Sequence, residues 1–186
     1  MELPEMAAAS TWEIDSVHSY VGFKVTHLMV SNAKGNFNKY SGIVSLNDTD
    51  ITKSKVDVTI DVSSINTNEP KRDEDLRSAD FFDAARYPTI TYVSTKWSSA
   101  ASGALTVAGN LTMHGITREV VLNVEPFSKE VKDSLGNTRR GTSASTIINR
   151  KDFGLAWNQV LEFGSVMVGD EVAISIKVEL VKIPPK

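Results

Sequence analysis

The side chains able to do chemistry in this chain are few and scattered. Its three histidines, His18, His27 and His114, follow no metal-ligand or nucleophile spacing, although residues far apart in sequence can meet in a fold. A hydrolase or metal enzyme pairing one of them with a carboxylate is therefore a hypothesis without a motif behind it. No nucleophile elbow, HExxH or phosphate-cradling loop occurs. Cysteine is absent, which removes disulfides, thiolate catalysis and sulfur-ligated metal clusters. Arg72 and Arg77 lie among Asp73, Glu74, Asp75 and Asp80, where local ion pairing competes with any role toward an anion. Trp12, Trp97 and Trp157 suit the aromatic platform of a carbohydrate-binding β-module if they face solvent. The expectation is no catalytic residue and no metal site.

Composition narrows the classes further. A chain of 186 residues, 41% hydrophobic, is long enough to bury a real core as one domain. With 20 basic against 23 acidic residues it lacks the positive footprint that binding nucleic acid requires. No uninterrupted apolar run approaches the roughly 20 residues that cross a bilayer as a helix. The start, MELPEMAAAS, carries two glutamates and a proline where a signal peptide carries positive charge, so no signal peptide is expected in it. Residues 1–11 read as a flexible arm and 12–183 as a single β domain.

The elements that would position any site are strands. From Leu105 to Val124, Leu105, Val107, Gly109, Leu111 and Met113 alternate with small or polar residues, and Val120, Leu122 and Val124 resume the pattern after Gly115. Successive strand residues point to opposite faces, so this is an antiparallel hairpin turning between Met113 and Arg118. Lys55 to Val62 is the strictest alternation, with Val56, Val58, Ile60 and Val62 on one face and Lys55, Asp57, Thr59 and Asp61 on the other. Val21, Phe23, Val25, His27 and Met29 form a third row, which places His27 either at a ligand or in a hydrogen-bonded core. Between Tyr40 and Val44 the apolar parity slips around Gly42, predicting a bulge or bend. Thr89 to Trp97, Gly141 to Asn149 and Val172 to Val181 complete the strands, Gly169-Asp170 reads as a tight turn, and Asn158 to Val168 is loop or strand. Only Ser63 to Tyr87 lacks a β period, and Pro70 ahead of Asp73 to Asp75 predicts a short helix there, covering one end of the sheet with Phe81 and Phe82. About eight antiparallel strands close into a barrel or split into a sandwich. Such a barrel fills with side chains or holds one small ligand.

Several segments in one order carry a resemblance. WEIDSVHSYVGFKVTHLMVSNAKGNF, KYSGIVSL, DVSSINTNEPKRDEDLRSADFFDAARYPTITY, VAGNLTMHGITREVVLNV, RGTSASTIINRKDFG and VGDEVAISIKVEL resemble the YceI-like family over roughly Trp12 to Ile183. The resemblance implies an all-β fold, an extended eight-stranded antiparallel β-barrel of lipocalin type with a short helical segment in the 66–87 connection. It also implies a pore holding a polyisoprenoid or other long-chain lipid, a periplasmic or secreted location, and a possible homodimer. No cofactor is expected beyond the bound polyisoprenoid lipid or isoprenoid quinone; fatty acids or fatty amides are the alternative ligands. The ligand-contacting set on this reading includes Phe23, Val25, Phe37, Val58, Ile60, Leu76, Phe81, Phe82, Leu111 and Ile148 for the apolar chain. Arginine forks suit a pyrophosphate head, with Arg72, Arg77, Arg118 and Arg150 as candidates, and His27, Tyr40 and Tyr92 offer donors to a quinone ring.

Overall fold

The computed structural model describes residues 9–158 and 167–185. In order, these form β1 (Ser10–Ile14), β2 (Tyr20–His27), β3 (Ser31–Phe37), β4 (Tyr40–Leu46), β5 (Lys55–Asp61), β6 (Ile65–Asn66), α1 (Pro70–Arg77), β7 (Thr89–Ser99), β8 (Leu105–Met113), β9 (Ile116–Val124), β10 (Val131–Lys132), β11 (Thr138–Asn149) and β12 (Val168–Ile183). β1 and β2 lie in line along the same side of β12, Ile14 opposite Leu180 and Tyr20 opposite Lys177. They are one strand interrupted by the 3-10 turn Ser16–His18, which Asp15 caps by accepting from the Val17 amide at 3.0 Å. β3 beside β2 and β4 beside β1 continue each other in the same way. Counted so, eight antiparallel strands close into a lipocalin-like barrel, with β12 joining β11 to the start of the chain.

Hydrophobic alternation decides which face turns inward. β8 buries Leu105, Val107, Gly109, Leu111 and Met113 while Thr106 and Asn110 stay outside. The hairpin turn is His114-Gly115, both in the left-handed region (φ 54° and 74°) that two-residue hairpin loops require. α1 begins with Pro70, and its Glu69 cap accepts from the amides of Lys71 and Arg72. The ladders are unequal. β11 pairs with β12 from Arg139 to Asn149, whereas β11 and β9 share only Ala144↔Val124 and Ser145↔Asn123.

Four expectations are corrected. Met29 does not continue the β2 row: the strand ends at His27, and Leu28 and Met29 turn with φ of 53° and 61°. The parity break lies between Phe37 and Tyr40, where β3 passes to β4; Tyr40, Gly42, Val44 and Leu46 all point inward. Gly42 is needed for close approach instead, since a Cβ there would sit 2.6 Å from Ile14 Cδ1. Gly169-Asp170 is no turn but the irregular start of β12, whose register on β2 shifts between Val168 and Val172. β1 starts at Ser10, inside the stretch read as an arm. Most of that arm, and most of the Asn158 to Val168 stretch, lies outside the described residues.

Candidate ligand-binding pore

Inside the barrel the inward rows do not meet. They leave a cavity of about 270 Å³, near the lower end of the roughly 300–1,000 Å³ typical of small-molecule sites. It runs from Trp97 and Phe127 at one end to Phe81, Leu155 and Arg150 at the other. β12 contributes Val172, Ile174, Ile176, Val178 and Leu180; β5 contributes Val56, Val58 and Ile60; and β11 contributes Thr142, Ala144, Thr146 and Ile148. On β11, Thr142 to Ile148 alone spans about 20 Å at the usual rise per strand residue.

The end at Trp97 is sealed by side chains of the strands together with Phe127 of the β9–β10 connection. Ile90 and Tyr92 point inward from β7, and a register shift between Ser94 and Lys96 then flips the parity so that Trp97 points inward too. Its ring stacks on Phe127 (6.3 Å, 12°). The Arg140 guanidinium lies over both Phe127 (5.4 Å) and Trp12 (5.6 Å), and Lys182 Nζ covers Trp12 as well at 5.5 Å. The Trp97 indole N–H is buried without an acceptor among the described residues.

The opposite end is covered by chain that is not wall. There Phe82 packs on the strand residue Phe37 (ring centroids 6.1 Å apart), which meets Phe23 of β2 at 5.8 Å, and Phe81 lies 5.1 Å from Trp157. Leu76 of α1 and Leu155 complete the cover. Arg150, 5% exposed, is the one charged side chain among the described lining residues. Its Nε donates to the Gly169 carbonyl (2.8 Å), Nη1 to Leu155 (2.5 Å) and Nη2 to Val168 (3.4 Å). Burial pushes its pKa down, opposed by Asp170, whose carboxylate stands 3.8 Å from Nη2 and 3.3 Å from Lys151 Nζ.

Of the residues singled out from the sequence, Phe23, Val25, Phe37, Val58, Ile60, Leu76, Phe81, Phe82, Tyr92, Leu111, Ile148 and Arg150 line this cavity. Three do not. His27 sits half-buried at the last residue of β2, opposite Ser31 and Val168. Tyr40 is packed in the core, and burial raises its pKa. Arg72 is turned to its own loop, with Nε on Thr67 Oγ1 and Nη2 on the Thr67 carbonyl, both at 2.8 Å. The expected ion pairing of Arg72 is replaced by that contact, while buried Asp73 accepts from the Thr67 amide at 2.8 Å. Arg77 reaches the Ser63 carbonyl, and Arg118 is exposed on β9. Tyr92 presents its ring to the cavity but not its hydroxyl, which lies 2.9 and 3.0 Å from the Val107 and Val120 carbonyls, over Gly109. Burial raises its pKa, so it stays a neutral donor to backbone.

Nor do the indoles form a platform: Trp12 and Trp97 are buried, and Trp157 is half-buried against Phe81. The histidines do not meet. His114 bonds the Phe153 carbonyl through Nδ1 at 3.0 Å, while His18 Nδ1 lies 2.8 Å from Asp15 Oδ2 and 3.4 Å from Glu179 Oε2. Asp15, His18 and Glu179 are the one described group with metal-ligand geometry, but Arg139 Nη1 already stands 2.8 Å from Asp15 and 3.0 Å from Glu179. No spacing rule reveals that network, because its members are up to 164 positions apart, from Asp15 to Glu179.

The model of the YceI-like domain matches residues 12–180. The chain belongs to the YceI-like family. A UPF0312 protein of Vibrio cholerae is 40% identical to this YceI-like chain over 157 residues, covering 83% of it and 82% of the relative. A Campylobacter jejuni YCEI protein of known structure shares 32% identity at a TM-score of 0.72, over 91% of this chain and 96% of that one. A polyisoprenoid binding domain from Saccharophagus degradans shares the fold at a TM-score of 0.66 and 17% identity, over 92% and 98% of the two chains.

Proposed function

We propose that the barrel binds, stores or carries a long-chain isoprenoid lipid, a polyprenyl phosphate or an isoprenoid quinone, without catalysis. The observation that carries this is the continuous apolar cavity along the barrel axis. Each methylene-sized group moved into it from water contributes about 0.8 kcal/mol, so about ten groups supply roughly 8 kcal/mol before association costs. A domain with the same fold bears the name polyisoprenoid binding. Arg150 is the one charged side chain among the described lining residues, but its guanidinium is held by the Gly169, Leu155 and Val168 carbonyls, so a head group engages it only by displacing one of these bonds. A single guanidinium also suits a carboxylate, which favours a fatty acid as the second reading, in the same pore.

The test is organic extraction of purified protein followed by mass spectrometry. A prenyl lipid or quinone is expected; a fatty acyl compound selects the second reading. No lipid in the extract, together with no uptake of added prenyl lipid, overturns both. Export to the periplasm and a homodimer belong to the same proposal and are read by cell fractionation and sedimentation.

A further inference from the structure

We infer that the tip of the β2–β3 hairpin is a docking element for the surface of an anionic lipid bilayer. Three successive apolar side chains project there, Leu28, Met29 and Val30, exposed by 38, 58 and 84%. Such a run on a surface is avoided unless it has a use. The turn is also unusual in its backbone: Leu28 and Met29 adopt left-handed φ values that large side chains seldom take. The Leu28 amide is tied to the Met167 carbonyl at 2.8 Å, so the tip is braced against the start of β12.

Charge points to the same occupant. In a chain of net charge -3, no Asp or Glu occurs between Asp15 and Asp48, and this hairpin carries Lys24 and Lys34. They sit directly opposite one another across β2 and β3, a like-charged pair that disfavours the sheet by itself. Both are exposed, and neither has an ion-pair partner among the described residues. Of the acids on neighbouring β12, between its Val168 and Val172 pairings with β2, Asp170 is engaged by Lys151 and Arg150, which leaves Glu171 against the two lysines. The acidic residues of α1 lie toward the other end of β3, since β6, which leads to α1, pairs with Asn36 and Phe37. That is about 16 Å along the strand from Ser31. An apolar tip with unpaired lysines behind it is the arrangement of a segment that enters the headgroup region of an anionic surface. The tip also adjoins the pore. Val168, opposite His27 at the foot of the turn, lines the cavity at its covered end, as do Phe23 and Val25 of β2.

The inference extends the pore reading to where a lipid is exchanged, yet it is tested on the outer surface alone. Purified full chain is floated with phosphatidylcholine vesicles or with vesicles rich in phosphatidylglycerol, at low and high salt. Binding to the anionic vesicles that weakens with salt is expected. K24Q/K34Q should weaken it, each lysine contributing about five-fold at an anionic surface. M29S/V30S should weaken it at least ten-fold, while L135S, which alters an exposed apolar residue of the β10–β11 turn, should leave it unchanged. Circular dichroism and melting check that each variant is folded. Absence of wild-type binding, wild-type-like binding by M29S/V30S, or an equal loss in L135S overturns the inference. So does a dimer that M29S/V30S dissociates without any vesicle binding, which would make a second copy the occupant. A lipid-loaded pore in a protein that ignores vesicles leaves the pore reading standing, and an empty pore in one that docks leaves this inference standing.

Discussion

The two ends of the barrel are closed by different means. At the Trp97 end the strands supply most of the closure, through Trp12, Trp97 and the Arg140 guanidinium laid over two rings, with Phe127 of the β9–β10 connection stacked on Trp97. At the Arg150 end the cover is α1, the Phe81-Phe82 stretch and residues 150–157, held by rings and by arginine bonds to carbonyls. Side chains rooted in ladders move only when the sheet does, whereas connecting segments open locally at lower free energy. The comparison teaches that the Arg150 end holds more of the chain that opens locally; on the proposed function it is the end a lipid would pass.

The harshest way to challenge that division is to spoil the space both ends enclose. Val58→Asp puts a carboxylate among aliphatic groups and should abolish either folding or lipid uptake, read by circular dichroism and extracted lipid, while Asp57→Ala on the outer face does neither. Trp12→Ala should cost about 3–5 kcal/mol in urea unfolding, the usual range for emptying a buried tryptophan site. Phe81→Ala should cost about 1 kcal/mol but speed release of a bound fluorescent lipid. Equal stability losses from these two, or unchanged release, would erase the difference between the ends.

The smallest expected effect is on pH. Asp15 is held down to about 2, first by His18 and then by Arg139, so its contribution is complete above its ordinary 3.8 and is lost as pH falls through about 2. His18 is raised above its ordinary 6.5 by Asp15, so its contribution is complete below 6.5 and is lost as pH rises past the raised value. Melting temperature should therefore fall on both sides of roughly pH 4–6.5, and Asp15→Asn should flatten both limbs.

Much of this was legible in the residues. Strict alternation in Lys55 to Val62 and Leu105 to Val124 marked the inward rows, because burial on one face imposes a period of two. Pro70 and the acidic turn after it marked α1. What escaped were events that break the period: the shift at Ser94/Lys96 that turns Trp97 inward, and the passage from β3 to β4. Side-chain commitments escaped as well. The Tyr92 hydroxyl and the Arg72 guanidinium looked available to a head group, yet both satisfy backbone carbonyls whose positions only the fold defines.

The short ladder between β9 and β11 has a bearing of its own. A tube whose wall is stitched for eleven residues along β11 and β12, but along β9 and β11 for two ladder pairs that only the Glu125 and Ser128 amides extend, is weakest on one generatrix, beside Ile116 to Val121. Breathing of such a wall is a lengthwise slit rather than an even swelling. The amides of β9 from Ile116 to Val121 that do not face β8, and those of β11 from Thr146 to Asn149 that do not face β12, should be among the first of the wall to take up deuterium.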